Sequence, residues 1–321
     1  MSACQISVVV PHYNSPDLLI KLFESIPDTE NIEVIAVDDN STVDLVSVRD
    51  YVAKRKNVEF LVNDSGVKNA GASRNVALKH VTGKWILFAD SDDFFVDGWV
   101  EVVTPFLDTD YDMVYFPPTS MDLTTGELSS RHVMYMEMIL AAYENPTLKN
   151  ITEMKFAFCS PWSKLIRTSV MKENDITFDE VAVSNDIMCL TKCAYHSKNV
   201  GLSDKTIYCV TRGGNSLTTN KDEKRFDTRV EVFVNRYIYA REHLSKKEFR
   251  YTHLDRQALG KLVDVFIEKW GPKKFFWISK LYIKNRIYIF DWGLLNPVTL
   301  FHKAKVELQW WMDIKKHRKN G

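Results

Sequence analysis

No uninterrupted apolar run in the 321-residue chain approaches the roughly 20 residues that a membrane-spanning helix needs. No basic segment precedes the first apolar stretch, and that stretch (residues 6–10) is too short for a signal-peptide core. The cysteines are few and odd in number: Cys4, Cys159, Cys189, Cys193 and Cys209. They contain no CxxC knuckle, which argues against a disulfide framework or a structural zinc site and fits a reducing compartment. Net charge is absent too, with 42 Lys and Arg against 42 Asp and Glu, so a generally basic nucleic-acid binder is not expected. No G-x-G-x-x-G follows a strand pattern, which disfavours a dinucleotide-dependent oxidoreductase. Internal repeats and low-complexity stretches are missing as well. With 45% hydrophobic residues, the chain has ample material for a core, and wholesale disorder is excluded.

The first 120 residues alternate short apolar runs with helical patterns. Strands are expected at 6–10, 32–37, 58–62 and 85–89, with helices at 16–25, 44–54 and 71–80. Repeated β-α-β units imply an α/β fold, with a largely parallel sheet flanked by helices. Ligands of such sheets bind beyond the carboxyl ends of the strands. Three of the four strands run into polar residues there: Pro11-His-Tyr-Asn14, Asp38-Asp-Asn-Ser41 and Asp90-Ser-Asp-Asp93. From about 121 to 214 the pattern is mixed, with helices expected at 135–143 and 186–196 and a strand at 206–210. From 222 onward only long helical patterns rich in aromatics appear.

Three carboxylates within Asp90–Asp93 repel one another, so either a cation binds or a pKa rises. A hard divalent ion with oxygen ligands suits that cluster; an acidic turn before a helix is the plainer reading. Asp38 and Asp39 could accept from a nucleobase N–H or simply cap the next helix. Residues 66–73 have the outer spacing of a phosphate loop but lack its lysine, and are read as a decoy. Cys189 and Cys193, near His196, are read as core cysteines. Trp162 is open to two readings, a stacking platform for an acceptor sugar or a core side chain.

These segments, taken in order, resemble the inverting family 2 glycosyltransferases of the GT-A fold. The resemblance rests on Val8-Val-Val-Pro-His-Tyr-Asn14, Glu33-Val-Ile-Ala-Val-Asp-Asp-Asn-Ser41, Gly71-Ala-Ser-Arg-Asn75 and Gly83-Lys-Trp-Ile-Leu-Phe-Ala-Asp-Ser-Asp-Asp93. Pro161-Trp-Ser-Lys-Leu165, Ser184-Asn-Asp186, Tyr208-Cys-Val-Thr-Arg212 and Asn215-Ser-Leu217 extend it to about residue 220. The resemblance implies a GT-A catalytic domain over 1–220, with a nucleotide-sugar half to about 120 and an acceptor half after it. A helical, basic and aromatic region follows over 221–321.

The same resemblance implies roles. Pro11 and Asp39 would line the uracil pocket of a UDP-sugar, with Asp39 reading the base, while Tyr13 would contact the donor and Arg74 would help hold it. Asp90, Ser91 and Asp92 match the DxD segment, with Asp92, assisted by Asp90, on Mn²⁺ or Mg²⁺. Asp186 matches the general base. Asp93 either orients the loop or touches the donor, and Arg212 is a supporting or acceptor candidate. His12 either touches the donor, packs or points to solvent. Asn185 replaces the usual glutamate before the base, so the pKa of Asp186 is expected to be raised less.

The implied function is metal-dependent transfer of a hexose or N-acetylhexosamine with inversion. The acceptor is expected to be an undecaprenyl-diphosphate-linked glycan in O-antigen or capsule assembly, at the cytoplasmic face of the membrane. Two alternatives are a sugar nucleotidyltransferase and a non-catalytic glycan- or partner-binding module. From Trp270 to Gly321, eleven Lys and Arg face three acids amid many aromatics. That pattern suits peripheral membrane contact, or packing on the catalytic domain with a solvated basic face.

Overall fold

A computed structural model describes residues 4–213 and 222–290. The chain begins with β1 (Ile6–His12), α1 (Pro16–Glu24), β2 (Ile32–Asp38), α2 (Val46–Val52), β3 (Val58–Val62), α3 (Ala70–Leu78) and β4 (Trp85–Phe88). It continues through β5 (Phe94–Phe95), α4 (Trp99–Val103), β6 (Met113–Tyr115), β7 (Thr119–Asp122), α5 (Val133–Glu144) and α6 (Leu148–Ala157). Next come β8 (Lys164–Arg167), α7 (Thr168–Lys172), α8 (Ile187–His196), β9 (Val200–Leu202) and β10 (Tyr208–Arg212). The helices α9 (Glu223–His243), α10 (Lys246–Tyr251), α11 (Leu254–Ile267) and α12 (Pro272–Asn285) follow.

Seven strands form one sheet in the order β3-β2-β1-β4-β8-β6-β9. β1 pairs in parallel with β2 and β4, whereas β8 runs antiparallel to β4 and β6. β1 is buried at every position because helices cover both faces of the central strands, and its apolar run therefore does not alternate. It extends past Pro11 to His12: Pro11 lies opposite Val37, and the strand continues where the sequence pattern suggested a stop. β5, β10 and β7 make a second, three-stranded sheet.

Two close approaches fix the layers. A Cβ on Gly83 would lie 2.6 Å from the Ser7 hydroxyl and 2.7 Å from the Ser7 nitrogen, so the turn into β4 can press on β1 only as glycine. A Cβ on Gly71 would lie 2.2 Å from the Asp179 carbonyl oxygen, which brings the start of α3 against the segment leading to Asp186.

The buried apolar residues fall into two clusters. One spans residues 6–210 around the large sheet, and the other spans 226–287 within the C-terminal helices. Buried Arg236 of α9 joins them by donating to the Phe156 carbonyl of α6, and His253 meets Glu153 at 2.8 Å. The expected boundary near residue 220 and the Asn215-Ser-Leu217 segment lie outside the described residues.

Candidate active site

The chain leaves β1, builds outward through β2 and β3, and returns to β4 on the other side of β1. The strand order therefore reverses between β1 and β4, and a crevice opens beyond their carboxyl ends. The hydroxyls of Ser15 and Ser91 meet across it at 3.3 Å.

On the β2 side, Asp39 is buried, and its carboxylate accepts from the Asn63 amide at 2.6 Å. Pro11 is buried beside it in β1, while Tyr13 is half-exposed with the Lys68 ammonium 4.1 Å from its ring centre. His12 is buried. Its Nε2 accepts from the Ser15 amide, which leaves Nδ1–H to donate to Asp38 at 2.9 Å. Asp38 also accepts from the Ser41 amide and hydroxyl. His12 and Asp38 thus brace the tips of β1 and β2 from inside, and packing is the reading of His12 that the geometry supports.

On the β4 side the four-residue acidic segment splits. Asp90 is half-buried and accepts from the Arg74 guanidinium at 2.6 Å. Asp92 stands at the rim, and the protein packed around its carboxyl raises its pKa, with the charge of Asp90 adding to the rise. Asp93 turns inward. Its two oxygens accept from the Tyr208 hydroxyl at 2.9 Å and the Thr211 amide at 2.7 Å. Burial, then Asp90 and Asp92, hold the Asp93 pKa well above the carboxylate range. Thr211 also donates to the Asp92 carbonyl, so β10 grips the loop at both residues. With both oxygens engaged and 3% exposure, Asp93 supports the loop and offers nothing to a donor.

Asp186 begins α8 across the crevice, and its side chain caps no helix N–H. Burial raises its pKa, Asp90 adds to the rise, and Arg74 and Lys164 oppose it. Arg74 is buried and spans the site: one nitrogen donates to Asp90, another to the Asn185 side-chain oxygen at 3.1 Å, and Phe178 lies beneath at 5.1 Å. The residue standing in the usual glutamate position therefore ties Arg74 to the loop of Asp186.

Of the two readings of Trp162, the geometry supports the core side chain. It is 3% exposed, stacks on Tyr208 at 5.9 Å, and meets Tyr135 and Phe158 edge-on at 5.2 Å. No face is open to a sugar ring, so the tryptophan is a core side chain under the crevice. Lys164 lies in the same cluster without any exposure, donating to the Ser160 carbonyl, and burial holds its pKa well below the usual range. Arg212 is half-buried at the end of β10, opposite Asp122 of β7. Cys189 and Cys193 are buried in α8.

Arg131 was not legible as a site residue. It stands just before α5, donates to the Thr211 carbonyl at 2.9 Å, and its charge lowers the pKa of both Asp92 and Asp93. It belongs to no motif, and only the β7–β10 pairing brings it to the acids. Among the described residues, no group of three or more His, Cys, Asp or Glu could by itself hold a metal ion. Asp90 and Asp92 can supply two hard oxygen donors, the arrangement used when substrate phosphates and water complete the shell.

This chain resembles proteins that modify poly(ribitol phosphate). It is 29% identical over 222 residues to the poly(ribitol-phosphate) beta-glucosyltransferase of Bacillus spizizenii, covering 67% of this chain and 33% of that protein. It is 30% identical over 213 residues to the poly(ribitol-phosphate) beta-N-acetylglucosaminyltransferase TarS of Staphylococcus aureus, covering 64% and 35%. The chain thus spans about a third of the length of these relatives. The fold matches the crystal structure of TarS residues 1–349 with UDP-GlcNAc at a TM-score of 0.68 and 24% identity, over 88% of this chain and 79% of that one. The model of the family described as "Glycosyl transferase family 2" matches residues 7–174, more than half of the sequence. Together with the acid-tipped strands around the β1–β4 crevice, that match makes the chain a member of glycosyl transferase family 2.

Proposed function

We propose that the chain is a metal-dependent inverting glycosyltransferase that moves a hexose or N-acetylhexosamine from a UDP-sugar to a hydroxyl of a cell-surface glycan. The observation that carries this reading is the convergence of Asp39, Asp90, Asp92, Arg74 and Asp186 on one crevice at the strand-order reversal. Asp39 and Pro11 read and line the uracil, with Asn63 fixing the Asp39 carboxylate. Tyr13 covers the open side. Asp90, Ser91 and Asp92 receive the ribose and diphosphate, and Arg74 holds the donor beside Asp90. Asp92, assisted by Asp90, would hold Mn²⁺ or Mg²⁺, which when bound stabilises charge on the departing diphosphate. Arg131 adds fixed positive charge on the same side.

Asp186 accepts the proton of the acceptor hydroxyl as that oxygen attacks the anomeric carbon from the face opposite UDP. One displacement inverts the centre, so an α-linked donor gives a β-linked product. Both relatives are named for β-linked transfer, which supports that stereochemistry. Those names also widen the acceptor class. Poly(ribitol phosphate) stands beside the undecaprenyl-diphosphate-linked O-antigen or capsule glycan expected from the sequence, with work at the cytoplasmic membrane surface in either case. A nucleotidyltransferase is disfavoured because Pro11-His-Tyr-Asn14 at the tip of β1 has no Gly-rich backbone to wrap a triphosphate.

A donor panel tests the reading. Purified protein with Mn²⁺ and acceptor is expected to release UDP from one of UDP-Glc, UDP-Gal, UDP-GlcNAc or UDP-GalNAc, with β-linked product by NMR. Release of pyrophosphate from a sugar phosphate and UTP, or no turnover with any donor, would contradict it.

A further inference from the structure

The helical core formed by α9–α12 leaves one face uncovered. Phe266 is 65% exposed, Phe276 69% and Ile283 80%. Phe266 and Phe276 both rest against Phe275, at ring distances of 5.3 and 6.0 Å, so the two helices present one continuous apolar strip. Ile283 lies seven residues beyond Phe276, two turns along the same side of α12. Exposed Ile267 widens the strip at its α11 end.

The rim of this strip is basic. Lys273, Lys280 and Lys284 are exposed beside Phe276 and Ile283, and α12 contains no acid. The nearby carboxylates are already paired: Asp227 and Glu223 with Lys274 of α12 itself, Asp264 with Lys261, and Glu268 with a partner of its own.

We infer that this face docks on an anionic lipid surface, laying α11 and α12 flat on the headgroups with Phe276 and Ile283 inserted and the lysines against lipid phosphates. Four physical arguments select that occupant. Exposed apolar side chains of this size on a soluble surface mark a contact site. A second copy meeting through the same patch would set lysine against lysine across a two-fold axis. The chain's own residues 291–321 carry six Lys and Arg against three acids, so their charge opposes their lying on this rim. A hydrated polyanion would meet the lysines and leave the aromatics in water, whereas an anionic bilayer satisfies both. No helix among the described residues is long and apolar enough to cross a membrane, so the contact is interfacial. The inference rests on the proposed function only in supplying its acceptor's location, and the test below separates the two.

The full chain is mixed with vesicles of phosphatidylcholine alone or with about a third phosphatidylglycerol, and binding is read by co-sedimentation at low and high salt. Binding is expected on the anionic vesicles only and weakens with salt. Phe276→Ser with Ile283→Ser, and separately Lys280→Ala with Lys284→Ala, each weaken it about tenfold or more. Circular dichroism melting and transfer to a soluble acceptor remain as in the wild type, since none of the four residues approaches the crevice. Failure to bind anionic vesicles would overturn the inference. So would binding untouched by both double variants, or a dimer in ultracentrifugation that Phe276→Ser dissolves. If binding behaves as expected but no donor turns over, the docking stands and the proposed reaction fails.

Discussion

As the proposed base, Asp186 has a carboxylate that caps no helix N–H and a pKa raised by burial. Asp186→Asn is expected to lower kcat by a factor on the order of 10²–10⁴ while UDP affinity stays within about twofold, read by initial rates and calorimetry. The raised pKa sets the pH profile. The base must be ionised, so kcat climbs with pH through a limb lying above the ordinary carboxylate value of about 4. Asn185 acts on this limb through Arg74. In Asn185→Ala the guanidinium loses one of its two anchors and rests on Asp90 alone. Its restraint on the Asp186 pKa weakens, and the acid limb should move to higher pH. A pH–kcat profile superimposable on the wild type would show that Asn185 only fills space. Asp92 gives an opposite signature in stability. Its pKa is higher folded than unfolded, so the folded chain holds the proton more tightly. Its contribution therefore favours folding at low pH and is lost as pH rises through the raised value. A cation competes with that proton. The thermal stabilisation given by Mn²⁺ with UDP should accordingly grow as pH rises through the raised Asp92 value.

At the scale of elements, the site depends on α3 lying hard against the segment that carries Asn185 and Asp186. Gly71 permits that contact, because any Cβ there meets the Asp179 carbonyl. Gly71→Ala must push the segment back, separating Arg74 from Asn185, and should cost about 1–3 kcal/mol in chemical denaturation together with most transfer activity. Much of this arrangement was legible beforehand. The apolar runs of β1 to β4, three of them followed by acids or by a polar turn, announced a parallel sheet and its crevice, and the residue sets around Asp39, Asp90 and Asp186 could be quoted from the sequence. The rest depended on tertiary pairing. β5, β6, β8 and β9 are two to four residues long, too short to carry a period. Asp93 could not be assigned inward until β10 was placed beside β5, since its partners Tyr208 and Thr211 lie more than a hundred residues away. Trp162 reads equally well as platform or core until Tyr135, Phe158 and Tyr208 are seen around it.

On the scale of the whole molecule, two hydrophobic cores share one boundary, where α9 and α10 lie on α8 and α6. Arg236 is the buried charge at that boundary, held by the Phe156 carbonyl at the end of α6. Removing the guanidinium leaves that carbonyl with only the weak Cys159 thiol donor and opens a gap beside it. Arg236→Ala is therefore expected to lower Tm by a few degrees, about 1–2 °C per kcal/mol lost in a chain of this size, without changing UDP affinity. A change in UDP affinity of more than about twofold would mean the helical region shapes the donor crevice directly.

The account as a whole depends on acids at neighbouring strand tips gripping a cation and a nucleotide diphosphate together. Calorimetric titration of UDP in Mn²⁺ and in chelator tests this most directly, in the wild type, Asp92→Asn and Asp186→Asn. Tight binding is expected only with Mn²⁺, weakened about tenfold or more in Asp92→Asn and preserved in Asp186→Asn. UDP affinity indifferent to the metal, or equal in Asp92→Asn and the wild type, would contradict it.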